Sequence, residues 1–237
     1  MSSSLLTVLV VVPTVAVIVA LFIVMWSART SWVTSRTAIV GGMALTAWAL
    51  AVGVLGRQGA FVQPDDNALP PVGIALGVAL LVLALSLGAS PSLRSLFTNQ
   101  RHVIRLNLWR LEGIVFLLLM VNRQMPALWA LPAGIGDVAV GATSFWVADR
   151  LSSPGGKQTA IAFNLFGLAD LIVAVGLGVT TSAGPVQMFH TVPSSELVTH
   201  FPLVLVPTFL VPLAFTLHIV SLAQLVGRPW ARRAVTS

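Results

Sequence analysis

Seven runs of about 20 apolar residues dominate this chain, at roughly 5–26, 37–57, 70–89, 103–122, 127–148, 159–180 and 201–225. About 20 such residues in a helix span the hydrocarbon of a bilayer. Each run ends in polar or turn-forming residues, such as "GRQGAFVQPDDNALPP" and "RLSSPGGKQ". Charged residues make up only 8% of the 237, against about 25% in soluble domains. The pattern predicts an all-α fold, a polytopic transmembrane bundle of seven helices forming one domain over 1–237. The first run lacks a basic leader and exceeds the roughly 7–15 apolar residues of a signal peptide, so it reads as a span.

Orientation follows from Lys and Arg near the span ends. Arg29, Arg36, Arg94, Arg101, Arg105, Arg150, Lys157, Arg228, Arg232 and Arg233 fall on one side, and Arg57 and Arg123 on the other, with Asp65, Asp66 and Glu196. Ten against two predicts the N-terminus outside and the C-terminus cytoplasmic. The net charge of +6 is thus topology charge spread over loops, and no cluster suits nucleic acid. With 12 Arg to one Lys and no Tyr, the composition suits a GC-rich bacterial genome and an inner (cytoplasmic) membrane.

Charges inside spans are costly, about 2.5–3.5 kcal/mol at a helix centre, and mark candidate sites. Arg110 and Glu112 lie in span 4, Asp137 in span 5 and Asp170 in span 6, with Asn107, Asn164 and His218 as further polar groups. The interiors of spans 1–3 carry no charge, so function is expected in spans 4–7. On an α-helix Glu112 points about 200° away from Arg110 and aligns instead with Arg105. The expected arrangement pairs Arg110 with Asp137 or Asp170 and leaves the other carboxylate free or protonated. Such a group suits proton or cation transport, whereas the Arg–Asp pair alone is equally a structural staple.

Helix breakers fall beside Asp137. Pro132, Gly134 and Gly136 predict that span 5 starts late or is two half-helices, as at transporter binding sites. Pro202, Pro207 and Pro212 predict a bent span 7 whose freed carbonyls face the same cavity. Gly73 and Gly77 open span 3 with close-packing spacing. "NLWRLEG" at 107 and "NLFGLAD" at 164 suggest a parallel repeat of spans 4–5 onto 6–7. The segment 181–200 is expected to lie on the membrane surface or to cap the bundle.

Several chemistries lack their residues. There is no cysteine, no His-Glu-x-x-His, no Gly-x-Ser-x-Gly and no lysine in the last span for a retinal Schiff base. His218 is the only deep histidine, so paired haem ligation has no second ligand. No catalytic residue, metal or cofactor is expected.

The motifs "NLWRLEGIVFLLL", "ALPAGIGD", "FNLFGLADLIVAVGLG" and "VPTFLVPLAFTLHIVSLAQL", over residues 105 to 225, resemble an uncharacterised family of small bacterial multi-span integral membrane proteins. The resemblance implies an inner-membrane location and no activity. The residues themselves point first to a proton- or cation-linked transporter or permeation protein. An accessory, sensor or assembly subunit of a membrane complex comes next, and an enzyme acting on a lipid or quinone last. The expected partners are the bilayer, a small molecule or ion, and a membrane protein or second copy.

Overall fold

The computed structural model describes residues 1–64 and 69–227. Asp65, Asp66, Arg228, Arg232 and Arg233 of the charge tally lie outside them. All regular structure among the described residues is helical. The chain forms α1 (Ser3–Ser27), α2 (Trp32–Arg57), α3 (Pro71–Ala89), α4 (Pro91–Ser95) and α5 (Gln100–Arg105). A 3-10 segment, Leu106–Gly113, joins α5 to α6 (Ile114–Val121), and α7 (Ala127–Arg150) and α8 (Gly156–Thr181) follow. A short 3-10 turn, Glu196–Thr199, and a π-helical turn, Val206–Leu210, lead into α9 (Val211–Leu225). Six of these helical stretches are long and apolar enough to cross a membrane.

Polar chemistry, rather than hydropathy, sets several boundaries. Helix α2 begins five residues before its apolar run because Ser31 and Thr34 form a reciprocal capping box. Two glycine seams let α2 dock closely: a methyl group at Gly42 would lie 2.7 Å from the Phe22 ring of α1, and one at Gly41 3.3 Å from Met25 Sδ. The buried stripe of α1 (Leu6, Val10, Val17, Leu21 and Met25) meets that face and the segment between α5 and α6. Helix α3 buries only Ala79.

Contacts between distant residues sort the turns into two ends. At one end the Met1 backbone nitrogen donates to Gln124 Oε1 at 3.0 Å, and Gly184 packs against Gln63. At the other, Arg101 donates to the Ser152 hydroxyl and Gln224 to the Phe97 carbonyl.

Two expectations about helix breaks need correction. Helix α7 runs unbroken through Pro132, Gly134 and Gly136 from Ala127 to Arg150. Its glycines serve close approach: a Cβ at Gly134 would sit 2.9 Å from the Gly113 carbonyl, and one at Gly136 inside the Asp170 carboxylate. Irregular winding lies in the 3-10 segment, which was not expected, and at Val206–Leu210 around Pro207, where span 7 was expected to bend; the last long helix starts at Val206 rather than 201. Pro207 cannot donate to the Leu203 carbonyl, and the Val206 N–H takes that acceptor at 2.9 Å.

Segment 181–200 partly covers one end. Ser195 is buried, donating to the Gly178 carbonyl at 2.8 Å and accepting from Thr181 Oγ1 at 2.8 Å.

Candidate functional site

The 3-10 segment positions the site. Runs beyond three or four residues are uncommon for this helix, and this one has eight. With about three residues per turn, side chains three apart eclipse one another. Residues 106–114 therefore divide into three faces. Asn107, Arg110 and Gly113 are buried on the face that meets α7; Leu106, Trp109 and Glu112 form the more buried side of a groove against α1; Leu108, Leu111 and Ile114 are exposed, the first two also lining that groove.

Arg110 is fully buried and uses all three guanidinium nitrogens. Its Nε donates to Asp137 Oδ1 at 2.6 Å, its Nη2 to Asp170 Oδ2, and its Nη1 to His218 Nε2 at 3.0 Å. Sequence reasoning expected one aspartate on Arg110 and the other left over; both are engaged. A guanidinium has five donors along separate edges, so one arginine can hold two carboxylates and a ring nitrogen at once.

Arginine has no acceptor, so His218 Nε2 must be the unprotonated nitrogen. The ring hydrogen then sits on Nδ1, which donates to Asn164 Oδ1 at 2.9 Å. The Asn164 amide donates in turn to Ser221 Oγ and the Ala160 carbonyl, both at 2.7 Å. Gln100 donates to Ser221 Oγ at 2.6 Å, bringing the thread to the start of α5. Thus Arg110, Asp137, Asp170, His218 and Asn164 meet in one network. Asn107 stays apart, its amide bonded to the Val103 and Ile104 carbonyls of its own segment.

Ser221 and Gln100 were missed from sequence. Ser221 follows His218 by three residues and so shares its helix face, a signal available without coordinates. Nothing in the sequence marks Gln100. Small residues make room for the network: a Cβ on Gly113 would strike Asp137, and one on Gly167 would overlap the His218 ring.

Asp137 also lines a cavity of about 90 Å³ between α3, α7, α8 and the π-helical turn. Its walls are mostly apolar, Trp129, Leu171, Val206 and Pro207 among them; Gln63, Ser182 and Thr199 lie toward the Gln63–Gly184 end. The Asp137 side chain is 16% exposed and that of Asp170 7%, so Asp137 is the more accessible of the two. Pro212 begins α9.

Glu112 does not join the clamp, nor does it pair with Arg105. Seven residues are not a whole number of 3-10 turns, and Arg105 instead forms an ion pair with Asp149. Both Glu112 oxygens are buried without a hydrogen-bond partner. Among the described residues no group of three or more His, Cys, Asp or Glu is arranged to hold a metal ion.

No curated protein and no solved structure matches the chain. A family defined as a domain of unknown function, DUF8737, matches residues 69–226, which carry the whole Arg110 network. With two-thirds of its length covered, including every residue from α3 to the end of α9, the chain belongs to that family.

Proposed function

We propose that the protein crosses a bacterial inner membrane seven times, N-terminus outside and C-terminus cytoplasmic, and carries a proton or monovalent cation through the Arg110 clamp. The composite of α5, the 3-10 segment and α6 supplies the seventh crossing, since Gln100–Val121 has span length. The two groups of end contacts support strict alternation of the seven segments. Aromatic anchors fit the proposed interfaces: Arg29 lies 3.7 Å over Trp26 and Arg150 5.0 Å over Trp146 on the inner side, while Arg57 lies 4.5 Å over Phe201 on the outer.

The observation that carries this reading is that Asp137 belongs both to the clamp and to the lining of the cavity. Two carboxylates against one guanidinium leave a net negative site when all three are ionised. A cation or proton arriving at Asp137 neutralises it and leaves Asp170 as the one charged partner of Arg110, beside the neutral His218 ring. The arginine is the shared element, and its partition between the aspartates is the two-state coordinate such a carrier needs. The guanidinium cannot itself release a proton. The carboxylates therefore do the carrying, and the His218–Asn164–Ser221–Gln100 thread orients the arginine from the inner side.

The test is pH-dye or cation flux in proteoliposomes. Asp137→Asn and Asp170→Asn should each abolish flux, and flux unchanged in both variants overturns the proposal. A second reading, favoured by the saturation of Arg110, is a static tie in an accessory, sensor or assembly subunit. It expects no flux and a membrane partner that co-purifies through the lightly buried faces of α2 and α3.

A further inference from the structure

The face of the 3-10 segment opposite the clamp carries a feature the clamp does not use. Trp109 and Glu112 are one turn apart there, and the Trp109 Nε1 and both Glu112 oxygens are buried without hydrogen-bond partners. Glu112 is 7% exposed. Leaving so many buried polar atoms unpaired is costly. Both residues line a groove of about 500 Å³ whose far wall is α1, their unpaired polar atoms lying beneath its surface.

The α1 wall explains why the groove exists. Pro13, Ala16 and Ala20, with Val12, Val17 and Val24, line it from α1, and none of these short side chains fills the space. Phe145 of α7 and Trp109 supply aromatic surface. The charges nearby leave Glu112 uncompensated: Arg110 serves Asp137 and Asp170, and Arg105 at the mouth serves Asp149. Arg110 thus stands near three carboxylates, and Glu112 is the one it does not bond.

We propose that this groove binds a hydrophobic cation, with Glu112 as its counter-charge and Trp109 as its aromatic wall. The chemistry matches on every count. Apolar walls take the organic body, an indole face attracts a cation, and an unpaired carboxylate in low dielectric supplies the ion pair that water would otherwise provide. An anionic or purely apolar ligand would leave the Glu112 oxygens unpaired. The site lies across the segment from the clamp and does not depend on whether the clamp carries ions.

Tetraphenylphosphonium is the probe, measured by equilibrium dialysis against the full chain in nanodiscs. Saturable binding is expected, weakened about tenfold or more by Glu112→Gln, as for the loss of one charged interaction. Trp109→Leu should weaken it several-fold, and Glu196→Gln, at the far end, should leave it unchanged. Absence of saturable binding, or binding indifferent to Glu112→Gln, overturns the proposal. A second measurement needs no variant: dicyclohexylcarbodiimide should modify Glu112 in the unaltered protein, and tetraphenylphosphonium should protect it, as read by peptide mass spectrometry. Lack of protection, or equal protection by a zwitterionic phospholipid, also overturns it, the latter in favour of a lipid site.

Discussion

Arg110 and Glu112 stand two residues apart on the same 3-10 segment, both at least nine-tenths buried, and meet opposite fates. Arg110 has a partner for every guanidinium nitrogen, drawn from α7, α8 and α9. Glu112 has none, although α1 and α7 lie beside it. The difference is one of neighbouring surfaces. The Arg110 face meets helices that bring complementary groups and glycines small enough to admit them. The Glu112 face meets a wall of proline, alanine and valine, none of which can donate a side-chain hydrogen bond. Burial alone therefore does not say whether a charge holds the fold together, because the partners decide it.

That contrast can be broken most severely at Arg110. Arg110→Met leaves Asp137 and Asp170 facing each other without a counter-charge. We expect a loss of about 3–5 kcal/mol, the usual consequence of stranding buried charge, read as a large drop in thermal stability in detergent. Combining it with Asp137→Asn and Asp170→Asn should restore most of that stability, because a neutral set strands nothing. A triple variant as unstable as the single one would show that shape, rather than charge, holds these helices.

Removing one carboxylate is milder, since Arg110 keeps its other partners. Asp170→Asn should cost about 1.5–3 kcal/mol, the worth of a hydrogen bond to a charged group. Gly136→Ala probes the same contact from the opposing backbone, forcing the Asp170 carboxylate to move, at about 1–3 kcal/mol. If Gly136→Ala is neutral in a thermal melt, α7 and α8 are not held as closely as described. At the small end, Glu112→Gln should fall within about 0.5 kcal/mol of the parent or stabilise it, because no protein partner is lost. A loss like that of Asp170→Asn would mean Glu112 has a partner and the contrast is false.

Much of this arrangement was legible in the sequence. Apolar run length located six long helices, the fourth run proving to be three short pieces, and the rarity of charge within the runs singled out Arg110, Asp137 and Asp170. His218 and Asn164 stood out as polar groups at comparable depth. What stayed hidden was geometry. Leu106, Leu108 and Leu111 fit an α-helix as well as a 3-10 helix, so nothing announced three residues per turn, and Glu112 was aligned with the wrong arginine. Counting charges instead of donors led to one aspartate being left over. Pro132 suggested a break because a proline removes one hydrogen bond. A membrane helix absorbs that loss when neighbours support it, and α7 packs against both the 3-10 segment and α8.

The 3-10 segment also makes residues 106–113 behave like a three-letter reading frame. Each position's environment follows its remainder on division by three: one class of positions reads the clamp, one the more buried side of the groove, and one the exterior and the groove's exposed side. In an ordinary helix a one-residue deletion turns every side chain by about 100° and blurs the old faces. Here it would exchange the classes outright. Deleting Leu108 would hand Trp109 to the exterior class and Arg110 to the groove class, while Leu111 would inherit the place beside the two aspartates. Gaining or losing three residues would preserve the frame.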